Sequence, residues 1–228
     1  MKIQYPIIIN KYIAQSNIAS RKESDRLLRA GKIFINGKLA EPGQLVYEAD
    51  EVKVQADKKL HYFAYNKPRG VVSSCAQGEE ENITDVLDLP KGVVPIGRLD
   101  KQSEGLIILT NDGRITDKLL NPDRYHEKEY VVEVSQQISS RQLSNLANGI
   151  LLDDGYRTKP AMVRKDGIKK FSIILTEGKN RQIRRMAEQV GLRVVSLKRV
   201  RIMHVHLGDL SVGQYRELKS DEIKILVG

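Results

Sequence analysis

The chain has 228 residues, enough for two compact units at roughly 100 to 150 residues each. Its 40% apolar content, 5% aromatics and lack of Trp describe a globular protein with an aliphatic core and argue against disorder. An excess of 38 Lys and Arg over 29 Asp and Glu points to a polyanionic partner, and the single cysteine, Cys75, excludes an intrachain disulfide and a multi-cysteine zinc site.

The apolar run Ile7 to Ile9 is too short for a signal-peptide core or a membrane span, so the sequence predicts a cytoplasmic protein with no membrane insertion. Residues 1–60 carry eleven basic and seven acidic side chains, about +4 of the total +9. Asn10 to Ala19 reads as an amphipathic helix burying Tyr12, Ile13 and Ile18. Ser20 is the expected N-cap of a second helix, Arg21 to Ala30, with Glu23 at capping-box spacing and Gly31 at its stop. Arg21, Lys22, Arg26 and Arg29 give that helix a positive ridge. Ile33 to Ile35, the Asn36-Gly37 turn, a second turn at Pro42-Gly43 and Glu51 to Val54 predict a small hairpin sheet.

The polar run Gln55 to Lys59 is the expected linker, dividing a unit over residues 1–58 from one over 61–228. Beyond it, Tyr62 to Tyr65, Val93 to Ile96, Leu106 to Leu109, Tyr130 to Val134, Phe171 to Leu175 and Val194 to Val205 read as strands. Helices are expected near Ile115–Leu120, Ser139–Asn148 and Arg181–Val190. Runs of strands with scattered helices predict an α+β unit on a mixed, largely antiparallel sheet.

Three segments carry chemistry. Pro95 to Leu106 is a polar loop between apolar strands, and on composition Asp100 fits either an active-site carboxylate or a solvated turn paired with Arg98 or Lys101. Leu175 to Met186 passes through a Gly turn into a basic helix. From Gly178 to Arg201 eight basic residues face only Glu188, a density that calls for a polyanion or for buried carboxylates. Asp123 to Val132 leads into a strand carrying Tyr130, which on composition alone is a half-buried strand tyrosine. His61, His126, His204 and His206 lack metal-motif spacing, so no metal is expected.

In this order and at these separations, the segments resemble the RsuA/RluB/RluE/RluF family of pseudouridine synthases. Gly97-Arg98-Leu99-Asp100 with Ser103-Glu104-Gly105-Leu106 is similar to its catalytic motif, and Tyr65 to Gly70 to its Asn-Lys-Pro strand end. His126 to Tyr130, Asn180 to Met186 and Arg201 to Met203 look most like its RluF-type members. The N-terminal unit resembles an S4 RNA-binding domain through Ala19 to Lys22, Asp25, Gly31 to Ile33 and Asn36-Gly37.

The resemblance implies isomerisation of a uridine in structured RNA without a cofactor, with large-subunit (23S) rRNA as the favoured substrate. Small-subunit rRNA, tRNA, and a non-catalytic RNA-binding or ribosome-assembly factor remain as alternatives. It further implies Asp100 as the catalytic carboxylate, Arg184 as its basic neighbour, Tyr130 against the target base and Arg98 in the space a flipped base leaves. Phosphate contacts are expected from Arg21, Lys22 and Arg26 in one unit and Lys179, Arg181 and Arg185 in the other. A monomer is the default expectation.

Overall fold

The computed structural model describes residues 3–16, 18–19, 21–55, 59–73, 80–120 and 126–227, with only the backbone of Asp117 and Lys118. Ser20, Cys75, Asp123 to Tyr125 and linker residues 56–58 lie outside them.

The N-terminal unit runs β1 (Ile7–Ile8), α1 (Ile9–Gln15), α2 (Arg21–Arg29), β2 (Ile33–Ile35), β3 (Lys38–Leu39), β4 (Leu45–Val46) and β5 (Val52–Val54). α1 starts one residue earlier and ends sooner than the sequence suggests. Its buried stripe is Ile9 and Ile13, four apart, while Ile18 lies beyond the helix and is 41% exposed. α2 ends as predicted at Gly31, whose φ of +64° lets Gly31 N–H reach Leu28 O and Lys32 N–H reach Leu27 O. Asn36 and Gly37 both have positive φ, the geometry of a two-residue hairpin, and Ile35 pairs with Lys38 across it. Ile9, Ile13, Leu27, Ile33 and Val46 close this unit's own core.

The second unit runs β6 (Tyr62–Lys67), α3 (Ile83–Val86), β7 (Val94–Ile96), β8 (Glu104–Thr110), α4 (Gly113–Leu120), β9 (Lys128–Val134) and α5 (Ser140–Ala147). It continues with β10 (Met162–Lys165), β11 (Lys170–Leu175), α6 (Gln182–Gln189), β12 (Val194–Ile202), β13 (Val205–His206), β14 (Tyr215–Glu217) and α7 (Ser220–Val227). The long strand expected over Val194–Val205 ends at Ile202, because Met203 takes φ +51° and turns the chain back into β13.

Nine strands form one sheet in the order β10-β11-β9-β12-β8-β6-β14, with β13 on β12 and β7 on β8. Every pairing is antiparallel except β12 with β8, so the sheet is mixed and largely antiparallel, as the sequence predicts. β8 is buried on both faces, which explains its unbroken apolar run: Leu106 and Ile108 pack under α4 and α7, and Ile107 and Leu109 pack with Phe63 and Ile83. A second core around Val132, Phe171, Ile173 and Met186 seats α6 on β9 and β11. The central parallel junction places the loop entering β8 beside the middle of β12.

Candidate active site

Asp100 lies in that loop, between β7 and β8, and the loop's backbone is held from four sides. The Ser73 hydroxyl donates to Leu99 O and accepts from Leu99 N–H, both at 2.9 Å. Ser103 N–H closes a turn onto Asp100 O at 2.9 Å, and Gly70 N–H reaches Lys101 O at 2.8 Å. From β12 the guanidinium of Arg199 donates Nε–H to Leu106 O at 2.7 Å and Nη1–H to Arg98 O at 3.5 Å, bracketing Asp100. Gly105 permits this approach: a Cβ there stands 2.3 Å from Arg199 O and 2.7 Å from Arg199 N, and its φ is +109°.

The loop forms one wall of a cleft of about 500 Å³ lined by Arg98, Asp100, Ser103, Lys128, Tyr130, Tyr156, Glu177, Lys179, Arg181 and Arg199. Tyr130 and Arg199 are Cα partners on β9 and β12, so both side chains stand on the same sheet face, together with Lys128 two residues back along β9. Two carboxylates line this cleft. Glu177 is buried and engaged: it accepts from Tyr156 Oη and Gln182 Nε2, both at 2.6 Å, and from Lys159 N–H at 3.1 Å. Asp100 has no hydrogen bond or ion pair to its carboxylate oxygens among the described residues.

Arg184 does not form the contact pair expected with Asp100. Its Nη2–H donates at 2.9 Å to Gln102 O, two residues further along the loop, so it reaches the carboxylate only through space. Burial lowers the Arg184 pKa, Arg181 adds to this, Asp100 opposes it and Arg69 lowers it again. Lys67, fully buried at the end of β6, donates from Nζ to Pro68 O and Val71 O at 2.7 Å. Burial brings its pKa down to about 8, against the pull of Asp100 and with the push of Arg199. Lys128, donating to His126 O at 3.2 Å, is also brought to about 8, by burial first and Arg199 second.

The remaining predicted contacts separate into free and committed groups. Arg98 and Arg181 stand exposed at the cleft rim, Arg181 as the left-handed N-cap of α6 at φ +49°. Lys179 lies over the Tyr156 ring, 4.4 Å from its centroid. Arg185 is turned away onto Asp153 and Asp154, 2.9 Å from the latter, so the phosphate contact expected of it requires breaking two ion pairs. Arg21 and Lys22 are exposed on α2, and Arg26 is exposed but paired with Glu23 at 2.7 Å. Of the eight basic residues from Gly178 to Arg201, three are neutralised internally, Arg185 by Asp153 and Asp154, Lys198 by Glu104 and Arg201 by Glu127 and Glu129, while Arg199 is held by loop carbonyls.

Among the described residues no cluster of His, Cys, Asp or Glu is arranged to hold a metal, and no helix is long and apolar enough to cross a membrane. Sequence reading missed Lys67, Lys128, Glu177 and the loop-holding role of Arg199. Lys67, inside the Asn-Lys-Pro strand end, and Lys128, inside the segment His126 to Tyr130, carried a signal.

Residues 61–189, from the residue before β6 to the end of α6, match the RNA pseudouridylate synthase family. The chain belongs to that family. Residues 9–52 match the S4 domain, so a pseudouridine synthase domain follows an S4 domain. A Salmonella typhi protein named dual-specificity RNA pseudouridine synthase RluF is 44% identical over 223 residues, covering 94% of this chain and 76% of that protein. A Bacillus subtilis protein named ribosomal large subunit pseudouridine synthase B is 37% identical over 232 residues, covering 96% and 94%. A crystal structure of a pseudouridylate synthase superposes with a TM-score of 0.73 at 29% identity over 96% of this chain and 99% of that one. The chain is therefore an RNA pseudouridine synthase, and the non-catalytic alternative falls away.

Proposed function

We propose that this synthase isomerises a uridine of large-subunit ribosomal RNA, acting as a cytoplasmic monomer with Asp100 as its catalytic carboxylate. The observation that carries the reading is the contrast between the cleft's two carboxylates: Glu177 is spent on structural hydrogen bonds, while among the described residues Asp100 has both oxygens free, on a loop held from outside. The carboxylate lies near enough to Lys67 and Arg184 to act on both through space, yet is bonded to neither and stays available to the substrate.

Pseudouridine formation breaks the N1–C1′ bond and joins C5 to the same carbon, so no atom enters or leaves overall. Asp100 serves as nucleophile at C1′ or as the base that takes the 2′ proton. A paired uridine first leaves its stack, at a cost of a few kcal/mol. Arg98, exposed at the rim beside Asp100, fills the space it leaves. Tyr130 lies against the extruded base, and Lys179 and Arg181 meet the flanking phosphates.

Large-subunit RNA is favoured because relatives covered over three quarters or more of their length include one named for the large ribosomal subunit. Mapping pseudouridines in total RNA from a strain lacking this protein tests the assignment. A site lost from large-subunit RNA and restored by the wild-type gene is expected; a loss confined to small-subunit RNA or tRNA overturns it.

A further inference from the structure

β9 and β12 carry cations on both faces, and the two faces are treated differently. On the face away from the cleft, Arg201 bonds Glu129 at 2.8 Å and Glu127 at 3.0 Å, and Lys198 has Glu104 at 3.4 Å. On the cleft face, Lys128 and Arg199 come as a pair of like charges, and neither makes an ion pair among the described residues. Their hydrogen bonds go to neutral carbonyls, His126 O for Lys128 and Leu106 O and Arg98 O for Arg199.

Two polar groups lining the cleft are also left over among the described residues. Arg199 is 4% exposed and its Nη2 has no partner, and Ser103 is 1% exposed with its hydroxyl likewise unpaired. Both residues line the cleft. Buried donors without acceptors are costly, and two like charges held together in a desolvated place are more so. The arrangement is relieved by an anion or an oxygen-rich group at the cleft floor. Phosphates stay with the RNA backbone near the rim, where Arg98 and Arg181 are exposed, so the group that reaches the floor is the extruded base.

We propose that Lys128 and Arg199 form a cationic floor that binds the carbonyl oxygens of the target uracil and stabilises it as the departing anion. The proposal rests on the reading of Asp100 given above and adds the partner for the other half of the broken bond. When N1–C1′ breaks, its electron pair stays on the uracil and spreads over N1, O2 and O4. C1′ is taken by an Asp100 oxygen or, after the 2′ proton passes to Asp100, becomes part of a glycal. The rotated base then bonds C1′ through C5, either as the Asp100 oxygen leaves C1′ or as Asp100 returns the 2′ proton to the glycal; the C5 proton leaves and N1 regains one. Donors already aimed at the charge as it develops act with little reorganisation. Arg199 thereby links two tasks, since the guanidinium that meets the base also anchors the Asp100 loop.

The test is single-turnover tritium release from large-subunit RNA carrying [5-³H]uridine, with protein in excess. Lys128→Met is expected to slow release about 100-fold, the scale for removing a donor to a developing anion, while RNA affinity stays within about threefold. Lys128→Arg, which keeps the charge, restores most of the rate. Lys128→Gln repeats the measurement should the Met variant not fold. A merely structural role is separated by changing the leaving group: in RNA with 5-fluorouridine, whose base departs more easily as an anion, the Lys128→Met defect in glycosidic cleavage shrinks several-fold. A Lys128→Met rate within twofold of wild type, or equal defects on both bases, overturns the proposal. A wild-type protein that releases no tritium from any ribosomal RNA overturns the underlying reading instead.

Discussion

At Gly105 one hydrogen in place of a side chain lets β8 lie against β12, with the Arg199 backbone where a Cβ belongs. The neighbouring atoms are backbone and cannot swing aside, and φ of +109° is itself unfavourable for other residues. Gly105→Ala should therefore cost at least about 2 kcal/mol in thermal or denaturant unfolding and reduce activity by displacing the Asp100 loop. Wild-type stability in the variant would contradict that packing. Lys67 gives a pH signature. Its folded pKa of about 8 lies below the ordinary lysine value of 10.5, so between those limits the unfolded chain binds more protons and stability rises with pH. Below about 8 the full cost of the buried charge is present. The stability difference between wild type and Lys67→Met should shift in favour of wild type from pH 8 to 10.5, measured by urea unfolding at each pH.

Among the elements, α2 and α6 are the two basic helices, and the structure divides their work. α2 exposes Arg21 and Lys22 with no partner among the described residues, so each replacement by alanine should weaken RNA binding and flatten the dependence of log affinity on log salt by about one unit. Arg185→Ala should leave that slope unchanged, because Asp153 and Asp154 already neutralise the guanidinium. This division marks what a sequence can and cannot convey. The Asn36-Gly37 hairpin, the Gly31 stop and the apolar run of β8 were legible because local backbone preference and burial fixed them. The edge strand β14 was not, since it exists through pairing of Tyr215 with Tyr65, 150 positions earlier in the chain, and not through its own pattern. Asp100 was legible as an acid in a polar loop. That Arg199 holds the loop, Glu177 is spent and Arg184 reaches Gln102 depends on contacts across the sheet that charge counts read only as a basic patch.

At the scale of the molecule, the chain joins a small basic unit with its own core to a larger one bearing the cleft. The larger unit also grips the chain entering it: Asn111 donates from Nδ2 to Lys59 O and accepts His61 N–H, both at 2.9 Å. Two weak RNA sites on one chain act together, because binding at the first raises the effective concentration at the second. Removing residues 1–58 should weaken binding to structured RNA by at least about tenfold while sparing cleavage chemistry at saturating protein. Equal affinity for the truncated chain would contradict the tether. Asp100, the cleft carboxylate with no partner among the described residues, is the group on which the proposed chemistry turns. The most direct measurement is single-turnover pseudouridine formation by purified Asp100→Asn beside RNA affinity. Loss of product with affinity within a few fold of wild type is the predicted result, and product formed by Asp100→Asn at the wild-type rate would contradict it.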